Sequence, residues 1–307
     1  MYSSVVRSEE YRNRLTDLIQ QEYGMEAVDI APAKRGFYGE TWRLNTADAG
    51  YFLKLVYPAA HQAVYERSFS IVQHLCGHGI DFISRIVKTK CGGLLARFDG
   101  AVLGVFDWID GDNIETDETK IWEYQMLAKV YTVSSDGISI PREDFSAKFA
   151  DIFFAQWNAL EDQALSALLE KNRVKLAHRA ERLRYFAARC RGDASGFVIT
   201  HGDAGGNLLQ NGGKYYIVDW DNPVLAPPER DAWVMCGRDW AREAFQSALH
   251  QNGINYTLHP ERLAYYRYQF FFFYLTSFLD VSAESETVAE YLDGWIEESF
   301  AYADGIF

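Results

Sequence analysis

Asp203, Asn207 and Asp219 are the residues of this chain whose types and order suit phosphoryl transfer. They lie in Thr200-His201-Gly202-Asp203-Ala204-Gly205-Gly206-Asn207 and in Ile217-Val218-Asp219-Trp220-Asp221. That chemistry needs metal ions across the nucleotide phosphates and a carboxylate that orients the attacking hydroxyl. Asp203 suits the second task. Asn207 and Asp219 supply hard oxygen ligands, which suit magnesium. Alone, His-Gly-Asp or Asp-Trp-Asp reads as an ordinary polar turn. Their order, with strands on both sides, is what points to a site.

The flanking sequence predicts how these residues meet. Residues 196–200 form a short apolar run that reads as a buried strand. A Gly-rich turn follows, and Asn211-Gly212-Gly213 is a strong hairpin signal. Residues 214–218 form the returning strand, which brings Asp219 back beside Asn207. Asp221 reads equally as support for Asp219 or as part of a solvated turn. His201 reads as a structural residue of the loop rather than an acid or base.

The N-terminal third predicts a helix over residues 9–23 and strands over 28–33, 41–44 and 51–56. A Gly-containing loop with Gly36 and Gly39 joins the first two strands. Glycines there let the backbone come close to phosphates. Lys54 lies inside the apolar run Phe52-Leu53-Lys54-Leu55-Val56, on the same face as Phe52 and Val56. A lysine on that face needs an anionic partner unless it sits on an edge strand facing water. A helix follows over 61–76, then strands over 82–87, 93–99 and 101–108. Phe106-Asp107-Trp108-Ile109 reads either as a hinge that receives a purine base through backbone groups or as an ordinary edge strand. Helices are predicted over 118–134, 144–158, 162–171 and 173–191, and again from about residue 230.

On His201-Gly202-Asp203, Asn207, Asp219 and Ala226-Pro227-Pro228-Glu229-Arg230-Asp231, the chain resembles the aminoglycoside phosphotransferase and choline kinase-like family. The element order extends the resemblance over most of the chain. It implies an α+β, bilobal protein kinase-like fold. Residues 1–110 would form a small β-rich nucleotide-covering lobe. Residues 111–307 would form a larger, mostly helical catalytic and substrate-binding lobe. It further implies Asp203 as catalytic base, Asn207 and Asp219 as Mg2+ ligands, and Lys54 on the phosphates of ATP or GTP. The usual partner of that lysine is a helix glutamate. Glu66 is the acidic residue available, although alignment with the family also puts Ser68 at that position. Asp231 matches a buried aspartate that braces the catalytic loop, or else is a helix N-terminal acid favoured by the dipole. The chain departs from the pattern in one place: its Asp203–Asn207 loop is one residue short. Paired glycines offer a tighter path, since glycine accepts conformations closed to other residues.

Composition narrows the function. The net charge of −13 over 307 residues argues against general nucleic-acid binding and fits a cationic small substrate or simply a soluble surface. Cys76, Cys91, Cys190 and Cys236 have neither metal nor disulfide spacing, so they read as thiols of a reducing cytoplasm. The run near residues 270–275 is too short to span a bilayer. Trp233, Trp240, Tyr265, Tyr266 and Tyr268 make the C-terminal region aromatic, with Glu284, Glu286 and Glu290 adding charge. These would suit an aminoglycoside or quaternary amine; aromatics at helical spacing are more usually core. The expected activity is transfer of a nucleotide γ-phosphate to a hydroxyl of an aminoglycoside or aminocyclitol. A metabolic kinase for choline, homoserine, thiamine or a sugar is the alternative. A nucleotide-binding pseudokinase, marked by the short loop, belongs to another class, and retention of Lys54, Asp203 and Asp219 argues against it.

Overall fold

A computed structural model describes residues 7–33, 39–294 and 297–306. The chain begins with α1 (Glu9–Tyr23), β1 (Asp29–Pro32), β2 (Glu40–Asn45), β3 (Gly50–Val56) and α2 (Ala59–Gly77). Next come β4 (Ala96–Phe98), β5 (Ala101–Asp107), α3 (Asp117–Val130), α4 (Lys148–Asn158), α5 (Gln163–Lys171) and α6 (Arg173–Cys190). The strands β6 (Val198–Thr200), β7 (Leu208–Asn211), β8 (Lys214–Ile217) and β9 (Val224–Ala226) follow. The chain then continues through α7 (Glu229–Ala232), α8 (Asp239–Gln251), α9 (Pro260–Asp280), α10 (Ser285–Asp293) and α11 (Glu297–Asp304). Contacts divide it into two compact units. One comprises Met1–Pro141 and His201–Val224, the other Arg142–Thr200 and Leu225–Phe307.

The first unit is built on an antiparallel sheet of order β1-β2-β3-β5-β4. Alternation along β3 sends Leu53 and Leu55 into a core with Trp42, Leu44, Leu103 and Val105. Helix α1 closes that core with Tyr11, Leu15, Ile19 and Tyr23, a period-four stripe. Ser8 caps its start by accepting from the Tyr11 N–H, and Gly24, at φ 74°, ends it in the left-handed conformation. On the opposite face, α2 seats Phe69 over Gly104. A Cβ at residue 104 would lie 2.5 Å from the Phe69 ring, so only glycine lets this helix approach so closely. A capping box between Thr116 and Thr119 starts α3. The β7–β8 hairpin turns through Gly212 and Gly213 at φ 53° and 83°, the pair of positive values a type I′ turn demands.

Residues 82–87 do not form the expected strand. Ile83 bridges Ile217, whereas Ile86 bridges Phe106. The segment divides its backbone bonds between the hairpin and the stretch of β5 that short β4 leaves uncovered, so no continuous ladder forms. The strand expected over 93–99 shortens to β4, which pairs with Ala101–Leu103 of β5, while residues 85–87 take up the stretch from Val105 to Asp107. The helix expected from residue 144 starts at Lys148. Before it, the Glu143 carboxylate accepts from the N–H groups of Asp144 and Phe145, and Phe145 has φ 50°.

The second unit is helical, with a two-stranded sheet of β6 and β9, whose last two residues belong to this unit. Helix α9 runs through its core. Trp233, Tyr265, Tyr266, Tyr268, Phe271 and Phe272 are all buried there, packed against α4 and α6. Of the aromatics named for this region, Trp233, Tyr265, Tyr266 and Tyr268 are therefore core and Trp240 is half-buried outside it, while Glu284, Glu286 and Glu290 face solvent.

Candidate active site

The site lies in the first unit. Its loop is held by His201, which is 3% exposed. The Asp203 N–H donates to His201 Nδ1 (3.1 Å), and His201 Nε2 meets the Val218 carbonyl (2.9 Å). A ring that accepts at Nδ1 must carry its proton at Nε2 to donate onward. The imidazole thus ties the backbone of Asp203 to the residue before Asp219. The Val218 N–H in turn donates to the Asn207 carbonyl (2.9 Å). The hairpin brings Asp219 beside Asn207, and His201 acts as a tie within the loop.

Asp203 is exposed. The Asn207 Nδ2 donates to the Asp203 carbonyl (2.6 Å), which fixes the amide. The short loop closes as a turn, with the Asn207 N–H on the Ala204 carbonyl at 3.0 Å. Neither Gly205 nor Gly206 has a positive φ. What Gly205 provides is space: a Cβ there would lie 3.0 Å from Lys120 Nζ. Lys120, from α3, donates to the Gly205 carbonyl (3.2 Å) and to Glu123 (2.9 Å), and Asn113 Nδ2 donates to the Gly206 carbonyl (2.6 Å). Two consecutive carbonyls of the loop are gripped from outside it. Sequence reasoning missed these residues.

Asp219 has φ 62°, a left-handed conformation that costs a non-glycine residue energy and tends to occur at functional sites. Its Oδ1 accepts from Lys54 Nζ at 2.8 Å. Asp221 also accepts from Lys54, and Tyr65 Oη donates to the same Asp221 oxygen at 2.7 Å. Lys54 is 4% exposed on β3, the middle strand of the sheet, which removes the edge-strand reading. Burial works against its charge, but the two carboxylates outweigh it and hold the ammonium above its ordinary range. Burial alone would raise the Asp219 carboxyl; the Lys54 charge and hydrogen bond pull it below the usual carboxylate range. Burial and the neighbouring Asp219 charge push Asp221 up instead.

The expected Lys54–Glu66 pair does not form. On α2, Tyr65, Ser68, Phe69 and Val72 face inward, and Glu66 is rotated about 100° from Tyr65. It pairs with Arg97 of β4. Ser68 lines the cavity, but its hydroxyl donates to the Tyr65 carbonyl (2.9 Å).

A cavity of about 350 Å³ opens above Lys54 and Asp219. Phe52, Phe69, Val72, Phe106 and Trp108 form its apolar walls, and Asn207, Asp219 and Asp221 line it with Lys54. Asp107 and Trp108 border it. The Asp107 carboxylate pairs with Arg85, its carbonyl accepts from Ser84, and its N–H donates to the Arg85 carbonyl. The Trp108 N–H donates to the Gly50 carbonyl, and Arg43 lies 4.5 Å over its ring. Gly39, buried before β2, would bring a Cβ to 3.2 Å from the Leu55 carbonyl. Gly36 lies outside the described residues. Asp231 is buried in α7, in the second unit. Its neighbour Arg230 ties α7 to the Thr200 hydroxyl at 3.0 Å.

The donor set fits magnesium. Asn207 offers an amide oxygen, and Asp219 offers a carboxylate held in its charged form whose Oδ1 alone faces Lys54.

The model of the phosphotransferase enzyme family matches residues 29–266. No curated protein matches the chain significantly. Among solved structures, a spectinomycin phosphotransferase in complex with ADP and spectinomycin is 20% identical, with a TM-score of 0.75 over 94% of this chain and 98% of its own. An aminoglycoside phosphotransferase from Alicyclobacillus acidocaldarius is 13% identical, with a TM-score of 0.61 over 99% and 96%. A choline kinase from Cryptosporidium parvum is 10% identical, with a TM-score of 0.62 over 95% and 94%. These likenesses show the fold: protein kinase-like and α+β, with a sheet-bearing N-terminal part and a helical C-terminal part.

Proposed function

This chain belongs to the phosphotransferase enzyme family, and from that premise we propose that it moves the γ-phosphate of ATP or GTP to a hydroxyl of an aminoglycoside-like or aminocyclitol substrate. One observation carries the reading. A buried lysine and an ionised, strained aspartate meet at the floor of an apolar cavity, and His201 ties that aspartate's strand to Asp203.

The nucleotide occupies the cavity. Its base lies between Phe52, Phe69, Val72 and Phe106, and meets the edge at the Trp108 carbonyl and Ile109, because the polar groups of Asp107 and the Trp108 N–H are already engaged. Lys54 holds phosphate oxygens. Asn207 and Asp219 would hold magnesium, which when bound neutralises charge on the phosphates. Asp203 accepts a hydrogen bond from the substrate hydroxyl and aligns it. As the oxygen–phosphorus bond forms and the bond to the nucleoside diphosphate breaks, Asp203 takes the hydroxyl proton. Residues 1–110 serve the nucleotide, and residues 111–307 supply the catalytic loop and the acceptor site. The likeness to a structure that holds spectinomycin and the net charge of −13 support a cationic acceptor.

The test is magnesium-dependent transfer from ATP and GTP to aminoglycosides, spectinomycin, choline, homoserine and thiamine, with Asp203→Ala as control. Transfer to an aminoglycoside or spectinomycin, lost in the variant, is the expected result. Transfer to choline, homoserine or thiamine alone replaces the acceptor class. Equal turnover in the variant removes Asp203 as base.

A further inference from the structure

We propose that Tyr65 and Asp221 together position Lys54 for the nucleotide, in the place a helix glutamate would fill. The inference rests on the phosphotransfer reading above.

An ammonium group has three donors. Lys54 gives one to Asp219 and one to Asp221, which leaves one for a phosphate oxygen. Asp219 is the carboxylate with a second task, as a magnesium ligand. Asp221 is therefore the anion dedicated to a lysine that is 4% exposed, where an uncompensated charge is costly.

Asp221 is itself fixed from two sides. Its N–H donates to the Asp219 carbonyl (2.8 Å), and Tyr65 Oη donates to its carboxylate (2.7 Å). Tyr65 is 4% exposed, and its ring centre lies 4.9 Å from Lys54 Nζ, close enough for a cation–π contribution. Its ring packs edge-on against Phe69, which packs edge-on against Phe106 and sits over Gly104. Gly104 is the residue opposite Lys54 in the sheet register. The seating of α2 on the sheet is thereby transmitted to Lys54 through one aromatic hydroxyl and one carboxylate. No acid of α2 takes part, since Glu66 pairs with Arg97 on another side of the helix. Tyr65 and Asp221 are positioning residues: both act on the nucleotide through Lys54.

The experiment compares Tyr65→Phe, Asp221→Asn, Asp221→Glu, the Tyr65→Phe/Asp221→Asn double variant and Glu66→Gln with the wild type. It reads KM for ATP, kcat, magnesium half-saturation, and ATP affinity by fluorescence titration. Tyr65→Phe keeps the ring packing and should weaken ATP binding and raise its KM roughly tenfold, the scale of a lost hydrogen bond to a charged group. The effect on kcat and on magnesium half-saturation should be smaller. Asp221→Asn should do at least as much, Asp221→Glu should recover part of it, and the double variant should match Asp221→Asn alone. Glu66→Gln should stay within about twofold of the wild type, as expected for an exposed ion pair.

A silent Tyr65→Phe overturns the proposal. So do additive effects in the double variant, a Glu66→Gln loss equal to that of Asp221→Asn, or an Asp221→Asn effect confined to magnesium half-saturation. The two readings fail separately. A wild type that binds ATP without transferring phosphate removes the phosphotransfer reading, and the titration still decides the positioning pair. A wild type that binds neither ATP nor GTP overturns both.

Discussion

Replacing Lys120 with methionine should separate the stability of the catalytic loop from its geometry. Lys120 is 8% exposed and Glu123 is 3% exposed. They pair at 2.9 Å, and the same ammonium donates to the Gly205 carbonyl between Asp203 and Asn207. Removing one partner of a buried pair costs about 3–5 kcal/mol, because the other charge is left buried. Glu123 has a further interaction, so the lower end, about 3 kcal/mol, is expected. Adding Glu123→Gln removes the stranded charge, and the double variant should return to within about 1 kcal/mol of the wild type, since neutral replacements of buried pairs are often nearly free of cost. Turnover should behave differently. The Gly205 carbonyl loses its donor in both variants, and a loop displaced by a fraction of an ångström should lose roughly ten- to a hundredfold in rate. Urea denaturation gives the first quantity and steady-state transfer the second. Wild-type stability in Lys120→Met would refute the buried-pair argument. Recovery of turnover in the double variant would show that Lys120 supports the loop through stability alone.

Three further outcomes follow from the same physics. Gly104→Ala should destabilise by about 1–3 kcal/mol through overpacking against Phe69. The double variant with Phe69→Leu should regain part of that loss in a thermal melt; no regain would mean that the clash is relieved elsewhere. Asp219→Asn should abolish transfer with little change in melting temperature, because asparagine tolerates the left-handed backbone at φ 62° and only the charge is lost; collapse of the fold would instead assign Asp219 a structural role. Glu229 is fully buried, and burial pushes its carboxyl up to about 7, against the N–H of His259 and the hydroxyl of Tyr256, which favour the charged form. From the ordinary 4.5 to about 7 the folded state keeps a proton that the unfolded state releases. Its contribution is therefore complete below the lower value and lost as pH rises through the upper one. It amounts to at most about 3 kcal/mol. Glu229→Gln should match the wild type near pH 5 and exceed it in urea near pH 8, and a pH-independent difference would contradict this.

What the sequence made legible was local. The Asn211-Gly212-Gly213 turn, the period-four stripe of α1 and the alternation that sets Lys54 beside Phe52 all depend on neighbours within a few residues. Backbone conformation settles these, and residue type reports it directly. The strand expected over residues 82–87 failed because its backbone bonds divide between the β7–β8 hairpin and β5. Nothing in an apolar run states how many partners it will meet. The paired glycines read as giving the short loop a tighter backbone path, yet neither has a positive φ, and the space beside Gly205 is taken by a lysine from 85 residues away.

Lys54 shows where the boundary falls. Its apolar run asks for an anion unless the strand is an edge facing water, and the central place of β3 removes that alternative. The identity of that anion does not follow. Charge nominated Glu66, the acid at hand on the following helix. Geometry chose otherwise: one step along α2 is about 100° of rotation, enough to turn Glu66 toward Arg97 and Tyr65 toward Asp221. A carboxylate 167 residues away could reach Lys54 only because the β7–β8 hairpin returns the chain to the sheet. The pairing is thus set by the phase of one helix and the closure of one hairpin. Shifting the phase of α2 by a single residue should break the Tyr65–Asp221 bond while leaving every charge in the sequence unchanged.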